Sequence, residues 1–213
     1  MKKISKIVLT AALLLAATIQ HPAQGQKRLR DYGIAPGVMK TGPLNAITDV
    51  KGVKVGHVTL DDGRTLRTGV TAIIPHEGNV FREKCPAAVF TGNGFGKLAG
   101  FTQVKELGTL ETPVVLTNTL SVSEGIAGLV SYTLGTAGNE GVRSVNAVVG
   151  ETNDGAINDI AARKVTEAHV LEAIACAEGG PVEEGNVGAG TGTIAFGFKG
   201  GIGTSSRVLP SSM

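Results

Sequence analysis

Thirty-one of the 213 residues are glycine, and they interrupt apolar segments instead of gathering in one tract. A flexible linker concentrates its glycines. Here they punctuate strand-like and helix-like stretches, which predicts tight turns and places where one backbone comes close to another. No internal repeat or low-complexity tract is present, so the chain must bury its apolar residues through many short elements.

The alternation Val53-Lys-Val-Gly-His-Val58 predicts a first strand, and Gly69–Ile74 a second. Asp61-Asp-Gly63 between them is a hairpin signal. Ala87–Thr91, Pro113–Thr117, Val145–Val149 and Thr193–Phe198 predict four more strands. In the last of these, Ile194, Phe196 and Phe198 alternate with Ala195 and Gly197, leaving one face nearly bare. A helix is expected to open at Ser121 or Ser123, with Val122, Ile126, Leu129, Val130 and Thr133 at helical spacing. A second takes Thr166 as its N-cap and buries Val170, Leu171, Ile174 and Cys176. A weaker helix is expected between Gly96 and Leu107. Runs of strands plus helices long enough to cover a sheet predict an α+β fold without a regular βαβ rhythm.

The first 25 residues read as a targeting segment. Lys2, Lys3 and Lys6 precede an apolar run from Ile7 to Ile19, and Ala23-Gln-Gly25 supplies the small-x-small pattern of signal peptidase. The run is short for a bilayer span, so a signal peptide over 1–25 is expected rather than a retained anchor. The mature chain then starts near Gln26, is exported to the periplasm or beyond, and forms one domain over 26–213.

Taking away the three leader lysines turns the formal charge of +2 into −1. With 4% aromatics and no Trp, the chain lacks the basic footprint of a nucleic-acid binder. Cys85 and Cys176 are expected to stay unpaired. The scattered His57, His76 and His169, without any Cys-x-x-Cys, give no zinc pattern.

Three segments carry polar residues where chemistry can sit. Gly92-Asn-Gly-Phe-Gly96-Lys97 fails the phosphate-loop pattern, with Thr91 and Leu98 at required positions, and fails the dinucleotide pattern at Lys97. It reads either as a plain glycine turn or as a loop beside a site. Pro113-Val-Val-Leu-Thr-Asn118-Thr-Leu-Ser121 is a buried strand ending in polar residues just before a helix, a natural place for an anion or a carbonyl oxygen. Val148-Val-Gly-Glu151-Thr-Asn153-Asp-Gly155 ends a strand in a carboxylate. Such a group can grip an ammonium; the alternative is a solvated turn. Ser205 and Ser206 have no nearby His and no Gly-x-Ser-x-Gly frame, and read as turn residues.

The block Gly188-Ala-Gly-Thr-Gly-Thr-Ile-Ala-Phe-Gly-Phe198, continuing through Lys199-Gly-Gly-Ile-Gly-Thr-Ser-Ser-Arg207, resembles the P1 family of peptidases, the L-aminopeptidase/D-esterase and β-peptidyl aminopeptidase type. Arg30-Asp-Tyr-Gly-Ile34, Asn45 to His57 and Leu116-Thr-Asn-Thr119 are similar to it as well. The resemblance implies a four-layer α/β/β/α sandwich, incomplete here because further strands follow Met213. It implies a self-processing hydrolase whose nucleophile is a serine freed beyond Met213, using its own α-amine as base, with no metal and no cofactor. It places Glu151, Asn153 and Asn118 at the substrate, a small peptide, amino-acid amide or ester. Some family members carry Tyr at the position of Asn153, which leaves substrate preference open. The partners implied are the chain's own C-terminal subunit and further copies in a homo-oligomer. The 213-residue chain alone is expected to be inactive. The competing class is a non-catalytic truncated relative or a periplasmic binding protein.

Overall fold

The computed structural model describes residues 27–211. The expected signal peptide therefore lies outside the described residues. Residues up to Gly37 form one unit and Val38 onward a second. In the first unit, a short 3-10 turn over Leu29–Tyr32 is tied by Arg28 N–H donating to Asp31 Oδ2 at 2.8 Å.

The second unit is a mixed α/β structure. Its elements are β1 (Lys54–Asp61), β2 (Arg67–Ile74), β3 (Cys85–Pro86), β4 (Leu98–Ala99), α1 (Phe101–Leu107), β5 (Thr109–Leu110), β6 (Val114–Asn118), α2 (Val122–Gly135), β7 (Val148–Thr152), α3 (Glu167–Ala175), β8 (Ile194–Ala195) and β9 (Phe198–Lys199). The main sheet runs in the order β1-β2-β6-β7-β4. β6 and β7 are parallel and joined through α2, while the other neighbours are antiparallel. One βαβ unit is thus present although the chain has no βαβ rhythm.

The Asp-Gly hairpin closes as expected. Asp62 Oδ1 accepts the backbone N–H groups of Arg64, Thr65 and Leu66 at 2.8–3.0 Å. The N–H donors of Leu66 and Arg64 hold its carboxyl below the usual range.

α2 packs on β6 and β7, α3 packs on β1 and β2, and the two helices touch each other. Val70, Val115, Leu129, Val149 and Val170 are fully buried between them. Each such side chain contributes about 1.5–3 kcal/mol. The buried stripe of α2 is Gly125, Gly128, Leu129 and Thr133. Ile126, expected inside, is 37% exposed. Gly125 and Gly128 face Val149 and Val170, where an added Cβ would collide, so the helix approaches sheet and α3 on its glycine face and Ile126 is turned outward. On the opposite face of β1 and β2, a turn at Gly188–Gly190 is bound by Gly188 N–H to Thr59 Oγ1 (2.9 Å) and Ala189 N–H to Thr71 Oγ1 (3.1 Å).

Several expectations are corrected. Ala87–Thr91 is not a strand: the ladder is Cys85–Pro86 with Thr109–Leu110, and it runs out after Ala87 N–H donates to the Gly108 carbonyl at 2.8 Å. The facing segment turns into the end of α1 at Gly108, which takes a positive φ, so residues after Ala87 find no ladder partner there. Thr193–Phe198 is not one strand. Phe196 and Gly197 both take positive φ, which reverses the chain and makes a small β8–β9 hairpin. Ser121 is the N-cap of α2 but makes no side-chain cap bond; Asn118 caps the preceding 3-10 turn instead. In α3 the buried residues are Val170, Ala173 and Ile174, with Leu171 at 36% exposure. Cys176 follows the helix end and is exposed, and both cysteines are free. Among the described residues no helix is long and apolar enough to cross a membrane.

Candidate active site

The parallel pair β6 and β7 determines where the candidate polar residues stand. In their register Thr117 lies beside Glu151 and Asn118 beside Thr152. Side chains alternate along a strand, so Glu151 and Asn118 occupy opposite faces of the sheet. Glu151 follows Val149 on the helix-covered face. On its other side β4 pairs antiparallel, Leu98 with Gly150 and Ala99 with Val149. The next step of that ladder sets Lys97 across from Glu151, with Glu151 N–H donating to the Lys97 carbonyl at 3.3 Å.

A cavity of about 800 Å³ opens at this point. Val89, Phe90, Leu98, Phe101 and Val122 make its apolar wall, and Lys97 and Glu151 are its charged members. The glycine-rich loop Gly92–Gly96 forms one side, so that loop is beside a cavity rather than a remote turn. Asn93 Oδ1 shapes it by accepting the N–H groups of Phe95 (2.9 Å) and Gly96 (3.2 Å). The Glu151 side chain is only 7% exposed. Its Oε1 meets Lys97 Nζ at 3.4 Å, and its Oε2 is buried with no hydrogen-bond partner. A buried carboxylate oxygen without a donor is costly, and a second cationic donor is what it can accept. The Thr119 and Ser121 hydroxyls, at the neighbouring strand end, are likewise buried without a partner.

Asn118 is buried and braced: its amide donates to Thr68 Oγ1 at 2.8 Å, and its carbonyl accepts Leu120 N–H at 3.1 Å. Asn153 is exposed, with Oδ1 accepting Gly155 N–H at 3.0 Å. Neither lines the cavity. The turn after Asn153 is not solvated as a whole, because Asp154 is 1% exposed. Burial pushes its carboxyl above the usual value, and hydrogen bonds from Thr68 and Asn158 offset part of that. Asn158 in turn accepts Arg67 N–H at 3.0 Å and gives its amide to Asp154 Oδ1 at 3.0 Å. Two buried polar pairs, Asn118 with Thr68 and Asn158 with Asp154, therefore lie beneath the strand ends.

Lys97, Thr68 and Asp154, which stand next to the candidate residues, carry no signal in the sequence. The spacing of Lys97 says nothing of Glu151, and only the β4–β7 pairing joins them. Among the described residues no group of three His, Cys, Asp or Glu side chains is placed to hold a metal ion.

The profile of peptidase family S58 matches residues 45–213. The chain belongs to peptidase family S58. The β-peptidyl aminopeptidase BapA of Sphingosinicella xenopeptidilytica is 43% identical over 191 residues, covering 85% of this chain and 47% of that protein. The structure of a Burkholderia sp. β-aminopeptidase superposes with a TM-score of 0.82 at 46% identity, over 87% of this chain and 53% of the other. That of the L-aminopeptidase D-Ala-esterase/amidase from Ochrobactrum anthropi, described as a prototype for the serine aminopeptidases and a variant of the Ntn hydrolase fold, superposes at 0.75 with 41% identity, over 85% and 53%. The family resemblance read from the sequence is thereby borne out, and the mixed α/β unit is similar to a structure described as a variant of the Ntn hydrolase fold. The chain spans about half the length of the curated relatives it matches.

Proposed function

We propose that this chain is the larger, substrate-surrounding part of an exported aminopeptidase or amidase that releases N-terminal residues from peptides, amides or esters. The observation that carries the reading is Glu151: a carboxylate 7% exposed, with one oxygen lacking a donor, at the wall of an apolar cavity. A free α-ammonium supplies the missing donor, and an ion pair in a closed site is worth more than one in water. Asn118, through its bonds to Thr68 and Leu120, steadies the end of β6, and Asn153 presents an amide at the turn that follows β7. The nucleophile is proposed as a serine that self-cleavage exposes, in sequence beyond Met213. Ser206 is a poor candidate, because its hydroxyl is given to Asp49. Membership in family S58 supports the hydrolase class; the four-layer sandwich, the C-terminal subunit, assembly into a homo-oligomer and export by the 1–25 leader belong to the same proposal.

The test is Glu151→Gln in a chain carrying the family's C-terminal portion. Loss of the charge-assisted contact should cost about 1.5–3 kcal/mol, roughly ten- to a hundredfold in kcat/KM, on free-amine substrates. Self-cleavage should continue, since it involves no free amine, and N-acylated substrates should be affected little. Equal losses on free and blocked substrates would show that Glu151 only supports the fold. Complete absence of self-cleavage and turnover in the unsubstituted chain would favour a non-catalytic relative.

A further inference from the structure

Lys97 raises a question that binding of an ammonium at Glu151 does not answer. Its side chain is 61% exposed, yet it leans over a carboxylate that is 7% exposed. The contact, 3.4 Å to Oε1 alone, is longer than the roughly 2.7–2.9 Å of a good charge-assisted hydrogen bond. It is a loose pair, and the other oxygen of the same carboxylate has no partner. An ammonium arriving at Oε2 therefore meets a second cation sharing its counter-ion, a few ångström away. Two like charges at that distance repel, the more so inside an apolar wall. Lys97 has the freedom to swing aside, but it then gives up its own partner.

We infer that Lys97 makes the cavity discriminate by the charge at the far end of the ligand, favouring short peptides that carry a free carboxylate over the monocationic amides and esters that the same site takes. A zwitterionic peptide brings both halves of an exchange: its ammonium replaces Lys97 at Glu151, and its carboxylate receives the displaced Lys97. The dimensions suit this. The ends of an extended dipeptide are about 6–7 Å apart, within the sweep of a long flexible lysine that begins beside Glu151. A cavity of about 800 Å³ is in the range that holds such ligands, commonly about 300–1,000 Å³. The remaining wall, Val89, Phe90, Leu98, Phe101 and Val122, is apolar and accepts the side chains without adding charge. Lys97 is thus a specificity-determining residue, and this role rests on the reading of Glu151 as the ammonium site.

The experiment compares three ligands by calorimetry at low salt on a chain carrying the family's C-terminal portion: a dipeptide of apolar residues, its C-terminal amide, and its N-acetylated form. Where the chain turns a ligand over, kcat/KM replaces Kd in the same ratios. The unsubstituted protein should bind the free dipeptide about tenfold or more tightly than the amide, and the acetylated form weakest. Lys97→Met should bring the dipeptide-to-amide ratio near one, chiefly by weakening the dipeptide, with the amide unchanged or tighter. Lys97→Arg should keep most of the preference. Added salt should shrink the ratio in the unsubstituted protein, because the contact is exposed. Each ratio is internal to one preparation, so a partly misfolded variant loses both ligands together without mimicking the effect. An unchanged ratio in Lys97→Met, with amine dependence intact and abolished by Glu151→Gln, would overturn the role of Lys97 alone. An acetylated dipeptide binding as well as the free amine, or no binding of any of the three, would overturn the ammonium site and this inference with it.

Discussion

Ser206 donates its hydroxyl to Asp49 Oδ2 at 2.5 Å, across 157 positions of sequence. The same oxygen of Ser206 accepts Gly42 N–H at 3.0 Å, and Asp49 also takes Leu44 N–H and Ala46 N–H at 3.0 and 3.1 Å. Thr204 Oγ1 accepts Ile47 N–H at 2.8 Å beside them, and Val208 N–H donates to the Lys40 carbonyl at 2.8 Å. The segment expected to be a simple serine turn is a clasp that ties the end of the chain to its first loops.

Ser206→Ala should loosen that clasp. The Ser206 hydroxyl is the chief reason the Asp49 carboxyl sits below its usual value of 3.8, with backbone donors adding to it and desolvation opposing. A depressed folded pKa gives stability that is present above the unfolded value and is lost as pH falls through the folded one. The thermal midpoint of Ser206→Ala should therefore fall at pH 7, and the gap from the unsubstituted protein should narrow as pH drops from 3.8 through the lowered value. A gap that persists undiminished in acid would mean that the hydroxyl contributes through packing and not through Asp49.

Gly128→Ala should destabilise although alanine is the better helix former by about 1 kcal/mol. A Cβ at 128 would stand 2.5 Å from Val170 Cβ and 2.6 Å from its Cγ1, and Val170 is fully buried with no room to retreat. The overpacking should cost about 1–3 kcal/mol net. Gly135, at the end of the same helix with nothing within 4 Å, is the control: Gly135→Ala should be neutral or stabilise by up to about 1 kcal/mol. Urea unfolding of the two variants checks both signs, and equal effects would show that α2 and α3 separate easily.

Asp154→Asn should stabilise the protein in a pH-dependent way. Burial raises the Asp154 carboxyl above its usual 3.8 in the fold, so the stability it allows is fully present below 3.8 and is lost as pH rises through the raised value. Asparagine keeps the carbonyl that accepts the Asn158 amide at 3.0 Å and carries no charge to desolvate. Melting curves from pH 3 to 7 should coincide at the acid end and part above it, the variant melting on the order of a few degrees higher at neutral pH. A variant that melts lower at pH 7 would show that the charged form is held by the Thr68 and Asn158 contacts more strongly than burial opposes it.

What could be read along the chain is what short-range chemistry decides. The Asp61–Gly63 turn, the β1 and β2 strands and the spans of α2 and α3 follow from turn residues and apolar period, and the blocks around Leu116–Thr119 and Gly188–Arg207 carried the family. What could not be read depends on which distant segment lies alongside. Ala87–Thr91 reads as a strand, but only Ala87 finds a backbone partner there, Gly108; Ile126 has a core residue's spacing but an exposed place, because Gly125 and Gly128 bring α2 close to Val149 and Val170. Glu151 was visible as a carboxylate at a strand end. Its burial, its orphan oxygen and the cation beside it arise from β4 pairing with β7, which joins Lys97 to a residue 54 positions away, just as the Ser206–Asp49 clasp joins residues 157 apart. Spacing along a chain sets local geometry; the partners that decide a side chain's charge, exposure and reach are supplied only when the sheet closes around it.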